Sequence, residues 1–151
     1  MDGEPKGPGP TSRPDPRLEL APGVLEDLAA LARAAAPEEA CGLLVGGASA
    51  GMSRVVEAPP VPNRAPDPRL GFELDPVDWA RLEGAARERG LEVLGHWHSH
   101  PRGGARFSDE DRWFAMPGAW SLVVTPAGDW SARFVPPDRA GVTDPSGSSR
   151  P

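Results

Sequence analysis

The chain has 151 residues, of which 38% are hydrophobic, a length and composition that suit one domain with a sizeable core. Sixteen basic and twenty-two acidic residues give a formal net charge of −6, which argues against nucleic acid or an anionic membrane as partner and leaves a basic or mixed protein partner open. A single cysteine excludes an intramolecular disulfide, and neither a long apolar run nor a signal-peptide pattern occurs, so we expect a soluble, cytoplasmic protein.

The two ends of the chain differ in composition from its middle. Residues 1–16 and 137–151 are rich in Pro, Gly, Ser and charge and lack apolar periodicity, which is typical of disordered tails. We therefore expect one folded domain over residues 17–136.

The first part of this domain predicts a strand, a helix and a hairpin. Residues 17–20 alternate apolar and polar side chains before a Pro-Gly turn, as a short strand does. Apolar residues at helical spacing predict a helix over 24–36, which Pro37 ends. The apolar run 41–47 and the segment 53–61 follow as the two strands of a hairpin.

The middle of the domain predicts a loop, a strand, a helix and another strand. Residues 62–71 contain three prolines and form a loop, and 71–75 (GFELD) forms a brief strand. A helix is expected over 76–90, with Pro at its start and Gly90 as its C-terminal cap. The segment 91–100 is the next strand.

The last part predicts a loop, a short helix and a final hairpin. Residues 101–104 stop the preceding strand, and Ser108 is the N-cap of a helix over 108–117. Two apolar segments on either side of a turn at 127–128 make the hairpin. Strands and helices mix without a strict β-α-β rhythm, which favours an α/β or α+β sandwich around a mixed sheet.

All three histidines lie at alternate positions of GHWHSHP, residues 95–101. In a strand, His96, His98 and His100 would project from one face. Two imidazoles at positions i and i+2 can converge on one ion, and a catalytic zinc takes three protein ligands and keeps a fourth position for water. The spacing does not decide which histidines bind. A third ligand must come from elsewhere, and the nearest downstream acids are Asp109, Glu110 and Asp111.

Several of these residues also have simpler interpretations. Asp111 follows Ser108 by three positions and fits the acidic partner of a capping box, and local pattern alone favours capping over metal ligation. Cys41 is a possible thiol nucleophile with a histidine base, but its place in the apolar run CGLLV favours a buried core residue. Trp97 should point to the face opposite the histidines.

The order of these motifs resembles a known family. HSHP, then six residues, Ser108, two residues and Asp111 are similar to the signature of the JAMM metalloproteases, also called MPN-plus domains. Residues 39–46, EACGLLVG, resemble the ExCGLLxG segment of bacterial members, and FELDP and SLVV resemble the family too. The resemblance covers about residues 18–135. It implies a single domain of the α/β (α+β) class, a cytidine-deaminase-like sandwich with a mixed sheet flanked by helices.

The resemblance also implies a set of roles. His98, His100 and Asp111 would hold one Zn²⁺ per chain, with water at the fourth position. Glu39 would be the general base that later protonates the leaving amine, and Ser108 would donate its hydroxyl to the oxyanion. These carboxylate, imidazole and hydroxyl groups suit the hydrolysis of a peptide or isopeptide bond.

Two residues leave alternatives beside this assignment. Glu38 is a rival to Glu39, but the family pattern puts its Glu two positions before Cys41, which favours Glu39. His96 departs from the aliphatic or aromatic residue usual in the resemblance. It is either a group that supports the ligands, a contact for substrate, or a tolerated half-buried imidazole, because a fourth protein ligand would close the site to catalysis.

The resemblance implies a substrate class as well. JAMM enzymes act on the C-terminal tails of ubiquitin-fold proteins, and only residues 112–118 separate Asp111 from the next strand, too few for the second insertion of the eukaryotic deubiquitinases. The minimal domain resembles bacterial enzymes that act on sulfur-carrier proteins. We therefore expect zinc-dependent hydrolysis of the bond after a Gly-Gly tail of a ubiquitin-like or sulfur-carrier protein.

Two other functions remain as rivals. One is a catalytically inactive MPN-type scaffold or interaction module. The other is a JAMM-like domain of DNA-repair-associated proteins, but its HNHPSG pattern and upstream helical pair do not occur in this sequence. The oligomeric state stays open, with a dimer among the options.

Overall fold

A computed structural model describes residues 16–108 and 116–137. The elements within these residues follow in chain order: β1 (Arg17–Leu20), α1 (Val24–Ala35), β2 (Cys41–Ser49), β3 (Met52–Glu57), β4 (Pro60–Val61), α2 (Pro76–Glu88), β5 (Glu92–Ser99), β6 (Trp120–Val124) and β7 (Trp130–Phe134).

The strands form one mixed sheet in the order β1-β3-β2-β5-β6-β7, and the short β4 pairs with β2. The β1–β3 and β5–β6 pairs are parallel, whereas β3–β2, β2–β5 and β6–β7 are antiparallel. A mixed sheet with helices confirms the α+β sandwich expected from the sequence. The sheet order puts β5, which carries His96 and His98, between β2 and β6 in the middle of the domain.

The helix α1 covers one face of the sheet. Its buried side chains Val24, Leu28 and Ala32 form a hydrophobic core with residues of the central strands, including Leu44, Val55, Leu94, Trp97 and Leu122. Leu94 and Trp97 share this face although three positions separate them, because the β2–β5 register skips Leu94 in a bulge. As predicted, Trp97 points away from the histidine face.

The opposite face carries the histidines and is covered by α2. Asp75 caps this helix, its carboxylate accepting a hydrogen bond from the Val77 N–H at 2.9 Å. Gly90 follows the helix with φ 77, the left-handed conformation expected of a glycine at a helix C-terminus. Trp79 and His96 line one cleft between the helix and the sheet.

The predicted strand over 71–75 is wrong. These residues join no strand ladder, because their backbone groups bond to the preceding loop. The Glu73 N–H donates to Asn63 Oδ1 at 3.2 Å, and the Glu73 carbonyl accepts from the Arg64 N–H at 3.0 Å. The predicted strand over 53–61 is divided into β3 and β4, since Pro59 and Pro60 have no N–H to continue the ladder.

Several expectations concern residues outside the described ranges. The short helix over 108–117 falls mostly there, and so do nearly all residues of the two predicted tails. These expectations stay predictions. Neither α1 nor α2, the helices of the described ranges, is long and apolar enough to cross a membrane.

The close approach of β2 to its neighbours leads to a stability prediction. A Cβ atom at Gly42 would lie 2.1 Å from the Pro59 carbonyl oxygen and 2.5 Å from Trp97 Nε1. We expect Gly42→Ala to lower the free energy of unfolding by at least about 1–3 kcal/mol, measured by urea denaturation. Gly47→Ala, in the same strand, is the matched control because a Cβ there meets nothing within 4 Å. Equal effects of the two substitutions would contradict this explanation.

Candidate active site

His98 and His100 bring two imidazole nitrogens together at the end of β5. His98 is buried in the strand, and His100 lies just beyond its last residue, Ser99. The two Nε2 atoms are 3.2 Å apart. Two nitrogen ligands of one tetrahedral ion, each about 2.0–2.1 Å from it, lie about 3.3–3.4 Å apart. The separation of the two atoms therefore fits a pair of ligands to a single zinc ion.

The ring of His100 is oriented by the loop that follows it. Its Nδ1 lies 3.0 Å from the carbonyl oxygen of Gly104. Because a carbonyl oxygen can only accept, this contact requires a proton on Nδ1, which leaves the Nε2 lone pair available to a metal. The loop 101–104 thus selects the tautomer that a metal ligand needs.

The ring of His98 packs against Phe72. The two rings are stacked, with centroids 4.4 Å apart and planes 14° from parallel, and Phe72 is itself buried. This contact with the segment 71–75 fixes the plane of the imidazole. No local pattern indicates this contact, because Phe72 and His98 meet only through the tertiary fold.

His96 is engaged elsewhere. It is 3% exposed, so it is more deeply buried than the half-buried imidazole that was one of its three interpretations. Its Nε2 lies 3.2 Å from the hydroxyl of Ser121, the residue opposite it on β6. The structure therefore brings His98 and His100 together and directs this nitrogen of His96 to a neighbouring strand.

Glu39 and Ser108 share a cleft with His100. The cleft has a volume of about 910 Å³, and these three residues line it together with parts of the loop 65–73. Glu39 is half-buried in the turn before β2, whereas the adjacent Glu38 is exposed and does not line the cleft. The backbone of Glu39 is fixed because its N–H donates to the Pro68 carbonyl at 2.8 Å.

Ser99 connects the strand of the histidines to the residue after Glu39. It is fully buried, its Oγ accepts from the Ala40 N–H at 2.8 Å, and its own N–H donates to the Ala40 carbonyl at 2.9 Å. This pair of bonds fixes the start of β2 beside the end of β5. Sequence reasoning missed Ser99, and no local signal indicates it, because its partner Ala40 lies 59 residues away.

The loop that leads to Ser108 is held by β7. Ser131 Oγ donates a hydrogen bond to the Ala105 carbonyl, and the Arg133 guanidinium lies 5.7 Å from the centroid of the Phe107 ring. These contacts hold residues 105 and 107, which lead to Ser108.

Cys41 does not have the properties of a nucleophile. Its side chain is 1% exposed, and its Sγ lies 3.8 Å from the Val61 carbonyl oxygen. Burial raises the pKa of the thiol to about 12, and the negative charges of Glu39 and Asp78 contribute in the same direction. The thiol is therefore protonated at neutral pH, in agreement with a core residue.

The remaining predicted ligand is not among the described residues. Asp111 and its two alternatives, Asp109 and Glu110, lie between the ranges 16–108 and 116–137. Within those ranges no group of three or more His, Cys, Asp or Glu side chains is arranged to hold a metal ion. Two of the three predicted ligands, His98 and His100, thus converge, and the third stays a prediction.

Known proteins are similar to this chain in sequence and in fold. A family described as prokaryotic homologs of the JAB domain matches residues 21–135. The chain belongs to this family. Membership in the JAB family confirms the resemblance to JAMM and MPN-plus domains that the HSHP and EACGLLVG segments indicate.

Two relatives of this JAB-domain chain have names that describe enzymes. Desampylase of Haloferax volcanii is 36% identical over 121 residues, which cover 77% of this chain and 86% of that protein. The "Probable TtuB-protein conjugate cleaving protease" of Thermus thermophilus is 35% identical over 89 residues, covering 59% of this chain and 57% of that protein.

Solved structures share the JAB fold. A protein of Desulfitobacterium hafniense, solved in solution, superimposes with a TM-score of 0.66 at 28% identity, covering 78% of this chain and 90% of that one. A JAB1/MPN domain protein of Archaeoglobus fulgidus gives 0.51 at 24% identity over 78% of this chain and 88% of that one, a likeness of fold alone. The single-domain JAB/MPN fold predicted from the sequence is thereby confirmed.

Proposed function

We propose that this JAB-domain protein is a zinc-dependent peptidase or isopeptidase that hydrolyses the bond after the C-terminal Gly-Gly tail of a ubiquitin-like or sulfur-carrier protein. The observation that carries the proposal is the 3.2 Å separation of His98 Nε2 and His100 Nε2, beside a cleft that Glu39 and Ser108 also line. The names of the two relatives support the coarser statement, since one is a desampylase and the other is named for cleaving protein conjugates.

The proposed metal site consists of His98, His100 and Asp111. Two imidazoles and a carboxylate are a usual ligand set of catalytic zinc. Asp111 is included because of its spacing from the histidines and the family resemblance. When bound, zinc would polarise the scissile carbonyl and lower the pKa of water toward neutrality.

Glu39 is the proposed general base. Its carboxylate takes a proton from the attacking water and later transfers it to the nitrogen of the leaving amine. Glu39 lines the same cleft as His100 and lies two residues before Cys41, which is directly opposite His98 in the β2–β5 ladder. This position supports a carboxylate beside the proposed ligands. Glu38 is exposed and does not line the cleft.

Ser108 is the proposed oxyanion donor. It lines the same cleft as Glu39 and His100, and its hydroxyl hydrogen can stabilise the negative oxygen that forms when water adds to the carbonyl. Removal of one such donor in comparable acyl-transfer sites lowers the rate by about 10²–10³.

The lining of the cleft is consistent with a substrate tail that is extended and rich in glycine. Residues of the loop 65–73 and residues 100–102 line it. An extended tail can be recognised through its main chain, and glycines let its backbone approach such a lining closely. The amine released is an amino acid such as cysteine, or a lysine side chain of a conjugated protein.

The proposal is tested by incubating the protein with sulfur-carrier precursors that bear residues after Gly-Gly and measuring the molecular masses of the products. We expect cleavage directly after the second glycine, its loss with a chelator, and its recovery on addition of Zn²⁺. A precursor with Ala-Ala in place of Gly-Gly is the matched control and should be cleaved much more slowly. Cleavage that persists in chelator contradicts the metal, and zinc-loaded protein that cleaves neither precursor favours the inactive scaffold.

A further inference from the structure

We propose that Asn63 is a positioning residue that holds Glu39 in place relative to the two histidines. This inference rests on the proposed function, because it gives Glu39 the role of the base. Asn63 lies in the proline-rich loop between β4 and α2, far in sequence from β5.

The amide of Asn63 makes four hydrogen bonds. Its Nδ2 donates to the carbonyl oxygens of Glu39 and Gly71, both at 2.9 Å. Its Oδ1 accepts from the backbone N–H groups of Ala65 at 2.9 Å and Glu73 at 3.2 Å. Two donors and two acceptor sites are all that an asparagine amide has, so its capacity is fully used.

These four bonds join two parts of the candidate active site. One leads to the backbone of Glu39, which belongs to neither α1 nor β2. Two others lead to Gly71 and Glu73, the residues on either side of Phe72, whose ring stacks on His98. A single side chain therefore sets the distance between the backbone of the proposed base and the support of a proposed ligand.

The same geometry explains why an amide is needed. Each Nδ2 hydrogen faces a carbonyl oxygen, and Oδ1 faces two N–H groups, so the orientation of the amide is determined by its partners. Aspartate has nearly the same shape but no donor, and it would place a carboxylate oxygen against the carbonyls of Glu39 and Gly71. Alanine would remove all four bonds.

The first test compares the kinetics of Asn63→Ala and Asn63→Asp with those of the wild type. We expect kcat to fall by about 10–100-fold in both, because a misplacement of about 1 Å can cost about 10²-fold in rate. KM should change by less than about threefold, since Asn63 bonds to the backbone of the proposed base and does not line the cleft. Asn63→Asp keeps the loop testable if the alanine variant does not fold.

A matched control is available at the next residue. Arg64 lies in the same loop, but its side chain pairs with Asp75 and Asp78, at 3.8 and 4.0 Å. Arg64→Ala should therefore leave kcat within about threefold of the wild type, because the guanidinium is half exposed and both ion pairs are long. An equal fall of kcat in both variants would mean general loosening of the loop and would overturn the inference.

A double-mutant cycle asks whether Asn63 acts through Glu39. In a Glu39→Gln background, Asn63→Ala should change the residual kcat by less than about threefold, because the group that it positions is already inactive. A full additional loss would indicate an effect independent of Glu39 and would overturn the inference.

Hydrogen exchange of the metal-free protein separates this inference from the proposed function. In Asn63→Ala we expect faster exchange of the backbone amides at Glu39 and Glu73, with amides of β6 unchanged. This measurement needs neither zinc nor substrate. Unchanged exchange at both residues overturns the positioning role whatever the activity, whereas a wild type that cleaves nothing overturns the proposed function instead.

Discussion

Replacement of Glu39 by alanine is expected to remove most of the peptidase activity and to leave zinc binding intact. Glu39 lines the cleft beside His100 but is not one of the proposed ligands, so its removal takes away proton transfer without removing a donor to the metal. General acid–base catalysis contributes about 10²–10⁴ in rate, and we expect kcat to fall by that factor. Zinc content per chain, measured on the purified variant, should stay at one.

The control for this prediction is the neighbouring carboxylate. Glu38→Ala removes the same charge one residue away, from an exposed position outside the cleft, and should keep nearly full activity. If Glu39→Ala stays active on a Gly-Gly substrate while Glu38→Ala does not, Glu38 and not Glu39 is the general base. If Glu39→Ala loses zinc, the carboxylate is a ligand and the proposed division of roles is wrong.

The histidine stretch shows what alternation of residues in a sequence can predict about a strand and what it cannot. Alternation made His96, His98 and His100 equivalent, and the structure shows that they are not. The strand β5 ends at Ser99, so His100 lies in the loop, where Gly104 orients its ring toward His98. His96 stays inside the strand, and its Nε2 meets the Ser121 hydroxyl. A pattern of period two predicts the face of a strand but not the residue at which the strand ends.

The elements were predictable where local signals agreed with each other. Helix α2 has Pro at its start and Gly90 after its end, and both the helix and its cap were confirmed. The segment 71–75 alternates like a strand, yet hydrogen bonds to Asn63 and Arg64 decide its conformation. Those contacts depend on a loop whose path no local pattern specifies, which is why the strand prediction was wrong.

The residues that support the candidate site could not be found by spacing. Ser99 bonds to Ala40, which is 59 residues away, and Asn63 bonds to Glu39, which is 24 residues away. Each is a common polar residue in an unremarkable local context, and its contacts exist only after the sheet and loop have assembled. The sequence therefore predicts the groups that carry chemistry better than it predicts the groups that hold them.

Replacement of His98 by asparagine is expected to abolish both zinc binding and activity. The Nε2 atom at 3.2 Å from His100 Nε2 is removed, and a site with one imidazole fewer loses most of its affinity. A metal acting as a Lewis acid contributes several kcal/mol to the transition state, so kcat should fall by about 10³ or more. Zinc content and kcat measured on the same preparation check both parts of this prediction.

The matched control is the histidine two residues earlier on the same strand. His96 and His98 are both buried, at 3% and 1% exposed, so replacing either by asparagine disturbs the core to a similar extent. His96→Asn should nevertheless keep one zinc per chain, because His96 Nε2 contacts the Ser121 hydroxyl on β6. Zinc loss in His96→Asn together with zinc retention in His98→Asn would reverse the ligand assignment. Loss in both would show that burial, and not ligation, determines the effect.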